Sequence, residues 1–135
     1  MPADIPRRIP PTRPLKVFFD GGCRPNPGAM EVAVVAQGET HILRDIGHGT
    51  NSDAEWLALI YALKIAQSLN VPDMVLLGDA ATVVAQANGT VKCRGVAIER
   101  RQTFVALAGD TLPRVRHIKR SQNLAGIALA RLHDR

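Results

Sequence analysis

Two short stretches of the chain place an aspartate directly after an apolar run. Residues 15–20 read Leu-Lys-Val-Phe-Phe-Asp, and residues 75–79 read Val-Leu-Leu-Gly-Asp. If both runs are neighbouring buried strands, Asp20 and Asp79 emerge side by side at one edge of a sheet. Two carboxylates held this close repel each other unless a cation lies between them. The pattern therefore predicts a metal site built from oxygen ligands.

Glu55 is a third acid that fits the same site. Residues 52–55 read Ser-Asp-Ala-Glu ahead of an apolar stripe, which is typical of the first turn of a helix. Carboxylate oxygens suit Mg²⁺ or Mn²⁺, which keep several waters and accept phosphate oxygens as further ligands. Two such ions can activate a water and stabilise the leaving oxygen of a displacement at phosphorus. Asp20, Glu55 and Asp79 are thus candidate catalytic and metal-binding residues.

Each of these acids also has a purely structural explanation. Asp20 precedes a glycine pair and is a suitable turn former. Glu55 lies three residues after Ser52, which is the spacing of a capping box. Asp79 can cap the helix that follows it. The catalytic interpretation therefore depends on the three acids converging from separate elements of the fold.

The overall composition fits one globular domain with an anionic partner. The chain has 135 residues, of which 46% are hydrophobic and 21% charged, and a net charge of +5. A positive balance favours nucleic acid, whose phosphates it neutralises. Cys23 and Cys93 form no CxxC motif, so a reducing, cytoplasmic setting is expected. Every apolar run is shorter than the roughly 18 residues of a membrane span, so no membrane partner is expected. The sequence identifies no protein partner.

The chain divides into a short arm and one domain. Residues 1–14 are rich in proline and arginine and are expected to form a flexible arm, whereas residues 15–135 form the domain. Turn residues at 20–22 end the first strand, and a hairpin turn is expected at 37–39. Apolar patterning predicts five strands, at 16–19, 31–36, 40–46, 74–77 and 114–118. It also predicts four helices, at 54–69, 80–87, 94–108 and 124–132, and a loop at 47–51.

The order of these elements predicts an α/β fold with a mixed five-stranded sheet. A three-strand meander followed by right-handed crossovers gives the strand order 3-2-1-4-5, with the first three strands antiparallel and helices on both faces. Ligands gather at the carboxyl ends of the central strands in such sheets. Asp20 and Asp79 follow such ends, and the helix that carries Glu55 enters from the same side.

Four motifs in this order resemble those of type 1 ribonuclease H. Residues 20–28, Asp-Gly-Gly-Cys-Arg-Pro-Asn-Pro-Gly, are similar to the opening motif of that family. Residues 50–55, Thr-Asn-Ser-Asp-Ala-Glu, resemble its Thr-Asn-Asn-x-x-Glu helix start. Gly78-Asp79 resembles the strand-end aspartate of the family, and residues 117–123 resemble its closing segment. The resemblance covers nearly the whole chain after the arm.

The resemblance implies a ribonuclease H-like fold and cleavage of the RNA strand of an RNA–DNA hybrid by two Mg²⁺ ions, with Mn²⁺ as the alternative. It makes Asp20, Glu55 and Asp79 the metal ligands. A contact to the 2′-hydroxyl in the minor groove is how a protein distinguishes RNA from DNA. The residues implied to lie against the hybrid are Gly22, Cys23, Arg24, Asn26 and Asn51, with Arg120 as a phosphate contact. His117 is expected to lie in the last strand and to have a structural rather than a catalytic role.

The last helix departs from the family pattern. The family carries a fourth acid there, in the motif Asn-x-x-Ala-Asp-x-Leu-Ala. Residues 123–130 read Asn-Leu-Ala-Gly-Ile-Ala-Leu-Ala, so the position of the acid holds Ile127. Isoleucine cannot bind a cation. Asp134 follows seven residues later on a similar helix face, but roughly 10 Å along the axis, so it is a poor substitute.

Two smaller departures lie in the same site, and they leave two interpretations open. Ala80-Ala81 stand where the family often has Ser-Gln, and Met30-Glu31 stand where glycines are usual. The chain is either a metal-dependent endonuclease with three carboxylates or a degenerate domain that binds nucleic acid or a protein partner without cleavage. A small nucleotide-binding module is a third class, but the chain contains neither a P-loop nor a GxGxxG motif.

Overall fold

The computed structural model describes residues 13–133 of the chain. Residues 1–12, which make up most of the expected arm, and Asp134 lie outside the described residues. Within residues 13–133 the strands are β1 (Leu15–Cys23), β2 (Gly28–Ala36), β3 (Glu39–Leu43), β4 (His48–Gly49), β5 (Met74–Gly78) and β6 (Arg114–His117). The α-helices are α1 (Asn51–Ser68), α2 (Ala81–Ala87), α3 (Val96–Ala108) and α4 (Leu124–Leu132).

The sheet is mixed, with β1 near its centre. β1 pairs antiparallel with β2, and β2 pairs antiparallel with β3. On its other side β1 pairs parallel with β5, which in turn pairs parallel with β6. The order β3-β2-β1-β5-β6 confirms the predicted arrangement, because the two-residue β4 only adds a short pairing at the start of β2.

Helices cover both faces of the sheet, as the sequence predicted. The larger core lies beneath α1, α2 and α3 and includes Phe19, Trp56 and Phe104. The rings of Trp56 and Phe104 meet edge to face, with their centroids 6.1 Å apart. A smaller apolar cluster holds α4 against the opposite face and consists of Ala33, Val35, Ala125 and Leu129. Among residues 13–133, no helix is both long and apolar enough to cross a membrane.

The prediction that β1 ends in a turn at residues 20–22 is wrong. The strand continues to Cys23, so Asp20 lies inside it and is not a turn former. The first of the two glycines that suggested a turn instead allows a helix to pack closely against the strand. A Cβ atom on Gly21 would come within 2.2 Å of the carbonyl oxygen of Ala54, so the strand needs a glycine there to let α1 lie against it. The parallel pairing with β5 stops before Asp20, which leaves its carboxylate at the rim of that pairing.

The start of α1 also differs from the prediction. The helix begins at Asn51 rather than at residue 54, and its N-cap is Thr50 instead of Ser52. The hydroxyl oxygen of Thr50 accepts a hydrogen bond from the backbone amide of Asp53 at 3.2 Å. Thr50 performs the capping at this end, and Glu55 is left to face the sheet.

The remaining differences are at element ends. β3 stops at Leu43, three residues early, because Asp45 adopts a left-handed φ of 54° that ends the extended backbone. The predicted loop at 47–51 contains β4, and β2 begins three residues early, at Gly28. The hairpin turn is confirmed, with φ values of 52° and 77° at Gln37 and Gly38. The bounds of α4 agree with the prediction, and the other elements differ by two residues at most.

Candidate metal centre

Three carboxylates from separate elements meet at one edge of the sheet. Asp20 lies in β1, Glu55 lies early in α1, and Asp79 directly follows β5. Each offers one oxygen such that the three atoms lie within 4.8 Å of one another. The structure therefore brings together the three acids that the sequence singled out.

Glu55 is directed toward the sheet by the close approach of α1 to β1. Its Oε1 accepts a hydrogen bond from the backbone amide of Gly21 at 2.8 Å. The interpretation of Glu55 as part of a capping box is therefore wrong. The N-cap interpretation of Asp79 is wrong as well, because the N-cap of α2 is Ala80 and makes no side-chain capping bond.

Asp79 is held by Asn123, the N-cap of α4. The side-chain amide of Asn123 donates to Asp79 Oδ2 at 2.9 Å and to the carbonyl oxygen of Phe19 at 3.0 Å. Its Oδ1 accepts from the backbone amide of Ala125 at 3.1 Å. Sequence reasoning noted Asn123 only as a motif position and missed this role. An asparagine directly before a helix was the available signal, since it marks an N-cap.

Burial and mutual repulsion disfavour the state in which all three acids of the cluster are ionised. Burial, followed by the charge of Asp20, raises the pKa of Glu55 to about 9. Burial and the charge of Asp79 raise the pKa of Asp20 to about 6. Acids shifted this far toward the protonated form gain from a divalent cation, because the cation compensates both the lost hydration and the repulsion.

The space beside the cluster suits a cation. A cavity of about 360 Å³ opens there, and its wall includes Gly126 of α4. A Cβ atom on Gly126 would lie 3.5 Å from Asp20 Oδ2 and 3.6 Å from Asp79 Oδ2. At this point α4 therefore presents only backbone atoms to the two aspartates. The donor set consists of carboxylate oxygens, which matches the preference of Mg²⁺ and Mn²⁺.

The candidate substrate-binding residues fall into two groups. Some lie on the cavity wall, and the others hold the start of α1 in place. Arg24 and Arg120 are exposed and lie on the wall of the cavity, with Gly22 and Asn51 beside them. Cys23 is buried, and its backbone amide donates to Asn51 Oδ1 at 3.0 Å.

Asn26 and the Cys23 thiol complete that support. The backbone amide of Asn51 donates to Asn26 Oδ1 at 3.1 Å, and the Cys23 thiol lies 3.3 Å from the carbonyl oxygen of Gly49. Cys23 and Asn26 therefore anchor the start of α1 through contacts within the chain.

Other positions near the site differ from expectation. Ile127 is 36% exposed and does not line the cavity, whereas its neighbour Gly126 does. Glu31 and His133 also line the cavity, although sequence reasoning gave neither of them a role there. The substitution of Glu31 for a usual glycine was the signal that could have indicated one of them. His117 lies in β6, as predicted.

A larger cavity, of about 710 Å³, lies between α2 and α3. Apolar and amide side chains line it, together with Lys92, Cys93 and Arg101. Its chemistry differs from that of the acidic cavity, where the carboxylates converge.

Comparisons with known proteins give the family of the chain. A family model described as "Reverse transcriptase-like" matches residues 19–133. Ribonuclease HI from Halobacterium salinarum is 33% identical over 138 aligned residues, which cover 96% of this chain and 69% of that protein. The crystal structure of RNase H1 from the same archaeon has a TM-score of 0.76 at 29% identity, covering 91% of this chain and 100% of that one.

A second solved structure extends the comparison. LC11-RNase H1, isolated from compost and crystallised with an RNA/DNA hybrid, has a TM-score of 0.73 at 28% identity, covering 85% of this chain and 92% of that one. The fold is therefore ribonuclease H-like, and the chain belongs to the type 1 ribonuclease H family.

Proposed function

We propose that the chain is a metal-dependent endoribonuclease that cleaves the RNA strand of RNA–DNA hybrids. The observation that carries this proposal is the meeting of Asp20, Glu55 and Asp79 within 4.8 Å at the rim of the sheet. Family membership supports the reaction, and the hybrid crystallised with LC11-RNase H1 supports the substrate class. The net charge of +5 favours binding to a polyanion.

In this proposal Asp20, Glu55 and Asp79 hold two Mg²⁺ or Mn²⁺ ions. Bound in pairs, such ions activate a water and stabilise the leaving oxygen of an in-line displacement at phosphorus. Asn123 fixes the orientation of Asp79, and the amide of Gly21 fixes that of Glu55. The protein thereby presents its carboxylates in one arrangement before any substrate arrives.

The hybrid would lie against the cavity mouth. In this proposal Gly22 and Asn51 contact the minor groove, and Arg24 and Arg120, which are exposed on the cavity wall, contact phosphates. Cys23 and Asn26 support this surface by fixing the start of α1. Cys23 and Cys93 are both free thiols, which fits a reducing, cytoplasmic setting.

A cleavage assay with an end-labelled RNA–DNA hybrid tests the proposal. We expect cutting of the RNA strand in Mg²⁺ or Mn²⁺ and loss of cutting in EDTA. Asp20→Asn should abolish cleavage, whereas Asp110→Asn, the same change at an exposed position outside the cavity, should not. Cleavage that survives Asp20→Asn would show that the acidic cluster is not the catalytic centre.

A second candidate function is binding of the hybrid without cleavage. The observation that favours it is α4, whose residues 124–132 contain no acid and place Ile127 where the family has its fourth carboxylate. Fluorescence anisotropy with a labelled hybrid separates the two functions. Tight binding with an intact RNA strand in both Mg²⁺ and Mn²⁺ would establish the binding role.

A further inference from the structure

We propose that Glu31 supplies the fourth carboxylate of this site from β2 and that His133 positions it. The inference rests on the proposed metal-dependent function. It assigns to β2 the negative charge that α4 lacks at Ile127.

Glu31 lies on the wall of the acidic cavity because of the β1–β2 pairing. It is directly opposite Gly22 in the register of the two strands, two positions beyond Asp20 along β1. Its side chain is only 12% exposed and lines the same cavity as the three converging acids. Four carboxylates therefore face this space, and one of them comes from an element outside the motifs that identified the site.

His133 at the end of α4 holds Glu31 in place. Its Nε2 lies 2.5 Å from Glu31 Oε2. Gly126, Ala130 and His133 all line the cavity, and their spacing places them on one face of the helix. The face of α4 that lines the cavity thus presents Gly126, Leu129 and Ala130, and then a histidine that contacts Glu31 of β2.

Arg44 is the second partner of Glu31, and it is the weaker one. Its Nε lies 3.4 Å from Glu31 Oε1, and its side chain is 56% exposed. Exposed ion pairs of this kind contribute little because water screens them. The placement of Glu31 therefore depends mainly on the half-buried contact to His133.

The geometry indicates how Glu31 would act. The close group of oxygens within 4.8 Å consists of Asp20, Glu55 and Asp79, and Glu31 stands outside it. Mg²⁺ keeps several of its waters when it binds to proteins. Glu31 would accordingly act on a bound cation through its waters rather than as a direct ligand, as outer-shell partners do in other metal sites.

Titration of the full chain with Mn²⁺, followed by the EPR signal of the free ion, tests this inference without relying on catalysis. We expect Glu31→Gln to weaken Mn²⁺ binding by about tenfold, and His133→Gln to weaken it by a smaller factor. Glu39→Gln is the matched control, since it removes the same charge from an exposed position at the far end of the β2–β3 hairpin. Its affinity should equal that of the unchanged protein.

Several outcomes would overturn the inference. If the Glu31→Gln variant binds Mn²⁺ as tightly as the Glu39→Gln control, Glu31 serves only as an ion-pair partner. If Glu31→Gln does not fold, as judged by thermal unfolding in EDTA, Glu31→Asp replaces it. That variant keeps the charge but withdraws it by one methylene, so unchanged Mn²⁺ affinity would again overturn the inference.

Asp20→Asn separates this inference from the proposed function. Mn²⁺ binding that is lost in Asp20→Asn but intact in Glu31→Gln would refute the role of Glu31 alone. Mn²⁺ binding that is unchanged in Asp20→Asn would refute the metal centre itself, and with it the proposed function.

Discussion

The side-chain amide of Asn123 donates a hydrogen bond to Asp79 across 44 residues of sequence, with 2.9 Å between Nδ2 and Oδ2. Asn123 is fully buried and also caps α4, so one residue fixes both a helix start and a candidate metal ligand. The start of α4 and the orientation of the Asp79 carboxylate therefore depend on the same side chain.

Replacing Asn123 with alanine is expected to lower the free energy of unfolding by about 2 to 4 kcal/mol. The substitution removes the helix cap and leaves the carbonyl oxygen of Phe19 without its amide donor. Chemical denaturation in EDTA measures the change. Ser121→Ala, two residues earlier and exposed, should change stability by less than about 0.5 kcal/mol. Equal stability of the two variants would contradict the role assigned to Asn123.

The glycine pair in β1 predicts two different responses to alanine. Gly21→Ala should destabilise the fold by about 3 kcal/mol, because the new Cβ would come 2.2 Å from a backbone oxygen of α1. Gly22→Ala should be tolerated, since its Cβ would lie 3.6 Å from Asn51 Oδ1, an ordinary contact. Thermal unfolding of both variants checks the difference. A stable Gly21→Ala protein would mean that α1 can retreat from the strand.

The stability of the metal-free protein should depend on pH. The pKa of Glu55 is raised from 4.5 to about 9 and that of Asp20 from 3.8 to about 6. The folded state thus keeps protons that the unfolded chain releases, so the contribution of these two acids to stability is fully present below about pH 4 and is lost as the pH rises toward 9. Mg²⁺ should oppose this fall, because it favours the ionised acids.

Unfolding in EDTA at a series of pH values measures this dependence. Glu55→Gln, which cannot ionise, should flatten the slope above pH 6, whereas Glu99→Gln at an exposed position of α3 should leave it unchanged. Stability that rises between pH 5 and pH 9 in EDTA would contradict the raised pKa values.

Arg120 is expected to contribute to hybrid affinity without contributing to stability. It is exposed and lies on the cavity wall. Arg120→Ala should weaken hybrid binding and lower the slope of log affinity against log salt by about 1, as loss of one phosphate contact does. Anisotropy in EDTA at several salt concentrations gives the slope. Lys64→Ala, an exposed position in the later half of α1, is the control. Identical slopes in all three proteins would remove Arg120 from the interface.

Ile127→Asp should increase cleavage in Mg²⁺ by about tenfold, which corresponds to about 1.4 kcal/mol of transition-state stabilisation. The substitution supplies an acid at the position where the family motif carries one. Single-turnover cleavage rates test this, with Ile127→Asn as the control of equal size and no charge. Equal rates for the aspartate and asparagine variants would show that a charge on α4 does not assist the reaction.

The sequence predicted the parts of the fold that depend on local patterns. Apolar runs located the central strands, and the bounds of α4 followed from a stretch with alanine, isoleucine or leucine at most positions. The acids Asp20 and Asp79 were found because each follows such a run. The glycine pair misled the prediction for β1, since Gly21 is needed for close contact with a helix more than 30 residues away.

The long-range contacts that complete the site could not be predicted from local sequence patterns. Glu31 and His133 are separated by 102 residues, and nothing in either sequence neighbourhood indicates that they meet. Asn123 reaches Phe19 over a separation of 104 residues. Pairings of this kind are set by the packing of α4 on the sheet, which only the folded structure specifies.

Gly126 has a consequence for how the site tolerates variation. The backbone of α4 forms part of the wall beside Asp20 and Asp79, so the room next to them exists because a side chain is missing. A methyl group at this position, where the family motif has alanine, would lie in ordinary van der Waals contact with the Asp20 and Asp79 carboxylates, whereas a longer side chain would reach into the cavity. Small residues are therefore expected to be accepted at position 126, and bulky ones to be excluded by the two carboxylates beside the helix.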